Sequence, residues 1–305
     1  MKIVLPGSAI GVLGGGEKAR MLALVAYRMG YRVHAFAPAG AWGDVSITAG
    51  WDDTGRLHEF AAATDVIIVA SDDVPPSTLR ALPESCNLQP GPRAFEAAAR
   101  DALVERDPAK AIAADFVILG IRSVNGSSMF YDPIAVDRIN GAADISRAPA
   151  AISLKPAHQA TEILRRKMEQ LEITGVACGS FTLTADSQLP LHEFTIGPHR
   201  AGDVTVVASV TSQYEQHLRA VCGLPLGSTD LLRPAAMAVL PDDTWSNGDP
   251  NWSAATVMPE VKLHLHGNHS GFLTATAASG TLARQIVRAA RASLANKELG
   301  GRASG

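Results

Sequence analysis

His192, Glu193, His199, Arg200 and Asp203 fall within twelve positions, a density of acid, base and cation that could serve acid–base chemistry or hold a ligand. The spacing is not that of a zinc-binding helix, because the surrounding pattern is strand followed by loop. Glu193 and His199 are the expected catalytic pair, with His192 beside them, and Arg200 and Asp203 as ligand contacts. The alternative is a set of inherited polar groups that are simply solvated. Gly14-Gly15-Gly16 followed by Glu17 could present backbone N–H groups and a helix N-terminus to an anion, with Gly15, Gly16 and Glu17 as the contacts. A carboxylate there suits the helix dipole but opposes a phosphate, and a tight turn retained for packing explains the glycines equally well. Asp72-Asp73 could bind ligand hydroxyls from the C-terminal end of a strand, or cap a turn. His264, His266 and His269 contain an HxH pair that a strand would project to one face. No resident metal is expected there. Cys178 could be a nucleophile beside His192, although a buried strand cysteine is the simpler account.

These residues need elements to position them. Ile10–Leu13 is a short apolar run ending in the glycines, and Glu17–Arg28 has helical periodicity. Gly30 stops that helix, Arg32–Phe36 alternates as a strand, Asp53–Ala63 forms a second helix, and Asp65–Ala70 (DVIIVA) is a buried strand. Strand, glycine turn, helix and strand make a parallel βαβ unit. Ala94–Arg106 is read as a helix that passes through Asp107-Pro108-Ala109-Lys110 into the strand Phe116–Ile121. A turn at Asn125-Gly126-Ser127 leads to the returning strand Met129–Pro133. Lys155–Leu171 is an amphipathic helix whose charges mark a solvated face. Strands follow at Val176–Thr184 and Leu189–Thr195, then a helix at Ser212–Cys222, a polar loop at Pro241–Pro250, a strand at Val261–His266 and a closing helix at Leu282–Leu299. Gly300–Gly305 is an expected frayed tail.

Composition narrows the class. The chain has 305 residues, 47% of them hydrophobic and 19% charged, with a net charge of −3, which fits a folded protein of about two domains. Near-neutral charge and 5% aromatic residues give no footprint for nucleic acid. No apolar stretch reaches the ~20 residues of a membrane span, and the opening reads as a buried strand rather than a signal peptide. Three cysteines, Cys86, Cys178 and Cys222, imply neither a disulfide framework nor a zinc knuckle. A cytoplasmic location is expected.

Three stretches resemble one family. GVLGGGEKARMLALVAYRMGYRVHAF is similar to an opening strand, glycine loop and helix, and DVPPSTLRAL follows the DVIIVA strand. TSQYEQHLRAVCGLPLGSTDLLRPAAMAVL is the most specific of the three. Together they resemble the ATPase subunit of phosphoribosylaminoimidazole carboxylase, or 5-(carboxyamino)imidazole ribonucleotide synthase, an ATP-grasp family of purine synthesis. The resemblance implies a homodimer and two strand-borne carboxylates for magnesium. Ser180 stands where the first of these belongs, Glu193 at the second, and His192 at an adjacent asparagine position. Gly197 stands in place of an arginine, while His199 is retained. HGNHSGFLTAT, without Lys or Arg, occupies a basic phosphate-gripping loop, and Ala70-Ser71-Asp72-Asp73 occupies the ribose-gripping strand end. No counterpart is visible for the family's small ATP-clasping subdomain.

The expected fold is therefore α/β: an N-terminal parallel sheet of Rossmann-like, pre-ATP-grasp type (1–108), a truncated ATP-grasp-like C-terminal lobe lacking the clasping subdomain (109–299), and the tail (300–305). The expected function is that of a divergent homologue with a degenerate ATP site. It has lost ATP-dependent carboxylation, and it binds or transforms a small nucleotide-like metabolite between the lobes, with neither ATP nor magnesium expected as a cofactor. It would be a biosynthetic enzyme of ligase descent without normal ATP use, in specialised metabolism. The alternatives are a non-catalytic partner protein and a still-active carboxylating ligase.

Overall fold

Ala9–Leu13 (β1) is buried along its whole length because it is a central strand, covered on both faces. In the computed structural model, which describes residues 3–100, 111–246, 248–266 and 269–295, it pairs in parallel with β2 (Arg32–Ala37) and β4 (Val66–Val69). Short edge strands β3 (Val45–Thr48) and β5 (Leu88–Gln89) complete a five-stranded sheet in the order β3-β2-β1-β4-β5. Helix α1 (Gly16–Arg28) buries Ala19, Met21, Leu22, Ala23, Val25 and Ala26, the stripe its periodicity predicts. Helices α2 (Thr54–Ala62), α3 (Pro76–Ala81) and α4 (Pro92–Arg100) finish the lobe.

The second lobe is a nine-stranded antiparallel sheet. Its long strands are β6 (Ile112–Arg122), on which the short β7 (Ser128–Phe130) pairs, and β10 (Gly175–Thr184). Between them in sequence lies the hairpin β8 (Ile134–Ile139) and β9 (Ala142–Ala148). The sheet continues through β11 (Leu191–Ile196), β12 (Ala235–Val239), β13 (Val261–Leu265) and β14 (Gly271–Thr276), in the order β11-β10-β6-β8-β9-β12-β14-β13. Helix α5 (Leu154–Gln170) lays Ala160, Leu164 and Met168, spaced by four, over Phe116 and Phe181, whose rings stack at 5.8 Å. Helices α6 (Thr205–Ala208), α7 (Gln213–Val221), α8 (Trp252–Ala255) and α9 (Gly280–Ser293) fill the remaining faces. The junction expected at 107–110 and the tail 300–305 lie outside the described residues, as do the last turns expected for the helices ending at 106 and 299.

The lobes share one apolar cluster. Ile10 and Val12 of β1, Leu22 of α1, Val117 and Leu119 of β6, and Leu218 and Val221 of α7 all belong to it. Each fully buried aliphatic side chain is worth about 1.5–3 kcal/mol, so the joint is stiff. Val4 N donates to Cys222 O at 2.9 Å across the same seam, and the Tyr31 hydroxyl holds Val4 from its own lobe by donating to Val4 O at 2.8 Å. No helix among the described residues is long and apolar enough to cross a membrane.

Candidate functional site

Glu193 owes its position to strand register. On β11 it pairs with Ser180 of β10, and Phe181 pairs with Leu191, so His192 is the extra residue of a β-bulge. Glu193 lines two neighbouring cavities, whereas His192 is not among the residues lining either. The smaller, about 300 Å³, is built from Glu17 and Lys18 of α1, Asp72 beyond β4, Glu193 and Thr195 of β11, and His199, Arg200, Asp203 and Tyr214. It is the cleft between the lobes, at the C-terminal end of the parallel strands where open α/β sheets bind ligands.

Histidine 199 stands at the head of a tight 3-10 turn, Arg200–Val204. Its Nδ1 accepts from Ala201 N at 3.2 Å, which leaves Nε2–H pointing at Glu193 Oε1, 3.7 Å away. Burial disfavours charging this imidazole, while Cys178 and the Glu193 carboxylate act against burial and raise its pKa. With Nδ1 occupied as an acceptor, Nε2–H is the donor that His199 offers to the cleft. The hydrogen bond from His199, opposed by partial desolvation, holds the Glu193 carboxyl below its usual range, with Arg138 adding to the effect. Cys178 is buried beside His199, not His192.

Asp203 lies beneath this pair, 2% exposed. Its Oδ1 accepts from the Tyr214 hydroxyl at 2.6 Å and from Gln213 Nε2 at 2.8 Å. Gln213 also donates to His199 O and accepts from His199 N, both at 2.9 Å, so it locks the turn. Desolvation pushes Asp203 up to about 7, against the Tyr214 hydrogen bond. A folded-state pKa above the unfolded value near 3.8 means that ionisation costs stability above pH 7 and nothing below pH 4. Replacing Asp203 with Asn keeps both bonds to Oδ1 and removes the charge. Its stability advantage over wild type should grow from near zero at pH 4 to about 2–4 kcal/mol at pH 8. Urea unfolding across that range measures it, and a pH-independent difference would mean the carboxyl is not desolvated.

The other sequence-selected residues sort by geometry. A Cβ on Gly14 would lie 2.8 Å from Ser71 N, and one on Gly15 2.3 Å from Ala39 O, so chain packing alone requires both glycines. Glu17 occupies the helix start. Asp72 pairs with Lys18 Nζ at 3.1 Å, and Asp73 accepts from Ser71 Oγ. His264 is hydrogen-bonded to Thr274 Oγ1 at 2.9 Å and stacks on Phe272, and His269 stacks on Trp245 at 5.3 Å. His266 Nε2 lies 3.5 Å from Glu17 Oε1. Among the described residues no cluster of three or more His, Cys, Asp or Glu forms a metal site.

Three contributors were missed. Arg138 of β8 donates through Nη2 to Ser180 Oγ at 2.7 Å and through Nη1 to Gly141 O at 3.0 Å, which brings a guanidinium to the Ser180–Glu193 pair. Gln213, with Tyr214, was hidden inside a motif read only for kinship.

Residues 8–99 match the model of the ribonucleotide synthetase preATP-grasp domain, and residues 93–214 that of the ATP-grasp domain. Solved structures agree along both chains. An ADP complex of an N5-carboxyaminoimidazole ribonucleotide synthetase superposes with a TM-score of 0.83 at 22% identity, covering 95% of this chain and 97% of that one. The Aspergillus clavatus synthase bound to ADP and 5-aminoimidazole ribonucleotide gives 0.83 at 17% identity, covering 94% and 98%. This chain shares their fold. N5-carboxyaminoimidazole ribonucleotide synthases are also its sequence relatives: that of Brucella melitensis is 29% identical over 86% of this chain and 92% of its own length, and that of Bacillus subtilis 25% over 88% and 89%.

These findings correct several expectations. The architecture is a pre-ATP-grasp domain followed by an ATP-grasp domain, and matches over 93–95% of this chain and 97–99% of the solved ones argue against a truncated lobe lacking its clasping part. The sequence had disclosed only some of the lobe's strands; β8, β9, β12 and β14 went unread. The expectations of a degenerate ATP site, of no role for ATP or magnesium, of lost ATP-dependent carboxylation and of a ligase descendant without normal ATP use fall with it. Several of the matching structures hold ADP or ATP. The physical error was to require two carboxylates. Magnesium keeps several waters and is commonly held by one or two carboxylates plus the phosphates themselves, so Glu193 with the adjacent Arg138 fits a magnesium–nucleotide complex.

Proposed function

We propose that this chain is an ATP-dependent carboxylating ligase of the N5-carboxyaminoimidazole ribonucleotide synthase type, with aminoimidazole ribonucleotide as the amine acceptor. The observation that carries the reading is the Glu193–Ser180–Arg138 cluster, a carboxylate and a guanidinium on adjoining strands, in a fold whose solved members hold ADP or ATP. Glu193 would hold the magnesium, which neutralises phosphate charge when bound, and Arg138 would face the phosphates. His199, through its Nε2–H, would orient an anionic reactant in the cleft, with Arg200 beside it and Asp203 and Gln213 holding the turn. Lys18 and Asp72 form the opposite wall. The enzyme is proposed to be a cytoplasmic homodimer without nucleic-acid partners, its lobes parting near residue 109.

The test is ADP release by the purified full-length protein with ATP, magnesium and bicarbonate, in the presence and absence of aminoimidazole ribonucleotide. ADP formation that requires the ribonucleotide is expected. A folded protein that neither binds ADP in a calorimeter nor forms it would exclude the ligase.

A further inference from the structure

Glu17 is a carboxylate where nucleotide binding asks for none. It opens α1 directly after Gly16, its side chain is 15% exposed, and it lines both the small interlobe cavity and a larger one of about 1050 Å³ that adjoins it. Its two oxygens are employed differently. Oε2 accepts from Ser270 Oγ at 3.0 Å and from Arg200 Nη2 at 3.5 Å, which fixes the carboxylate plane. Oε1 faces His266 Nε2 at 3.5 Å.

His266 is the anomaly. Its side chain is 3% exposed, yet neither ring nitrogen has a hydrogen-bond partner. Buried polar groups are ordinarily satisfied, and those that are not call for a functional account. The ring is seated against Phe272 at 5.5 Å, and the backbone is pinned where Arg20 Nη1 donates to His266 O at 2.8 Å. Burial and the Arg20 charge outweigh Glu17 and hold the imidazole below its ordinary pKa, so its resting state is neutral, with one ring nitrogen unprotonated.

We propose that Glu17 and His266 form a proton-accepting dyad for the amine half-reaction. As the acceptor's amino nitrogen bonds to the activated carboxyl carbon, the activating phosphate oxygen leaves with the electron pair of its bond to that carbon. The proton shed by the nitrogen passes to Glu17 Oε1 and onward to His266 Nε2. Glu17 touches the substrate and is catalytic, and His266 acts through it. The proposal rests on the carboxylating reading above, and it adds a base that this reading does not assign.

Glu17→Ala should lower kcat/KM for aminoimidazole ribonucleotide about 100-fold, within the range for loss of a general base, and added formate should restore it in proportion to its concentration. His266→Ala should lose about tenfold and be rescued by free imidazole. Unchanged kcat/KM in both variants, or losses that neither small molecule repairs in proteins that melt like wild type, would overturn the dyad. A second measurement does not depend on turnover. In the full-length protein, Glu17→Gln should shift the imidazole NMR titration of His266 to lower pH, because a charge that raises it has been removed. If wild type forms no ADP, the ligase reading fails. The NMR titration then decides the dyad alone, and an unmoved His266 refutes it.

Discussion

Glu193→Ala should reduce ribonucleotide-dependent ADP formation about 10³-fold while leaving the fold intact. Mutations that remove a preorganised electrostatic partner of developing charge cost about 10²–10³ in rate, and Glu193 is expected at the upper end. The register explains why. Its cross-strand neighbour is Ser180, which carries no charge, so this strand pair supplies a single carboxylate to any metal bound there. The loss should appear in kcat and as a shift of the magnesium dependence to higher concentration. The side chain is half exposed, so the melting temperature should change little. Removing it also strips His199 of an anion that raises its pKa, and His199 should then titrate at lower pH. A variant with wild-type rate and magnesium dependence would mean that the metal is held elsewhere.

What the sequence disclosed follows from how far each feature depends on local pattern. The runs AIGVL and VIIV could only be buried strands, and α1 and α5 follow the 3.6-residue period without interruption. Segments broken by charge were opaque. IAVDRI and AADISRA carry Asp137, Arg138, Asp144 and Arg147, and neither run alternates cleanly. Yet Asn140-Gly141 between them, with φ of 50° and 82°, is the strongest short hairpin signal there is. Reading it would have placed Arg138 on a strand. Its approach to Ser180, 42 residues away, depends on β6 lying between β8 and β10, and no local pattern encodes that order. The Glu17–His266 contact joins residues nearly 250 positions apart through the lobe seam, and is equally invisible. The glycines are legible for a second reason: a Cβ at Gly14 or Gly15 would collide with Ser71 or Ala39, a packing demand set by residues far along the chain.

Arg138→Met should lower kcat about 10²–10³-fold with little change in the KM of the amine substrate. The guanidinium is held in two directions, by Gly141 O at the hairpin turn and by Ser180 Oγ on the neighbouring long strand. That leaves its charge fixed beside Glu193, which feels it. A fixed cation gains its effect where phosphate charge develops, not where the amine binds, so the split between kcat and KM tests the assignment. Lysine cannot span both acceptors with a planar fork, so Arg138→Lys should recover no more than about a tenth of the activity. Ser180→Ala removes one of those two anchors but no charge, and should cost only about tenfold. If Arg138→Met instead raised the KM of the ribonucleotide at constant kcat, the guanidinium would be reading the acceptor, and the phosphate-facing role would pass to Lys18 or Arg200 in the cleft.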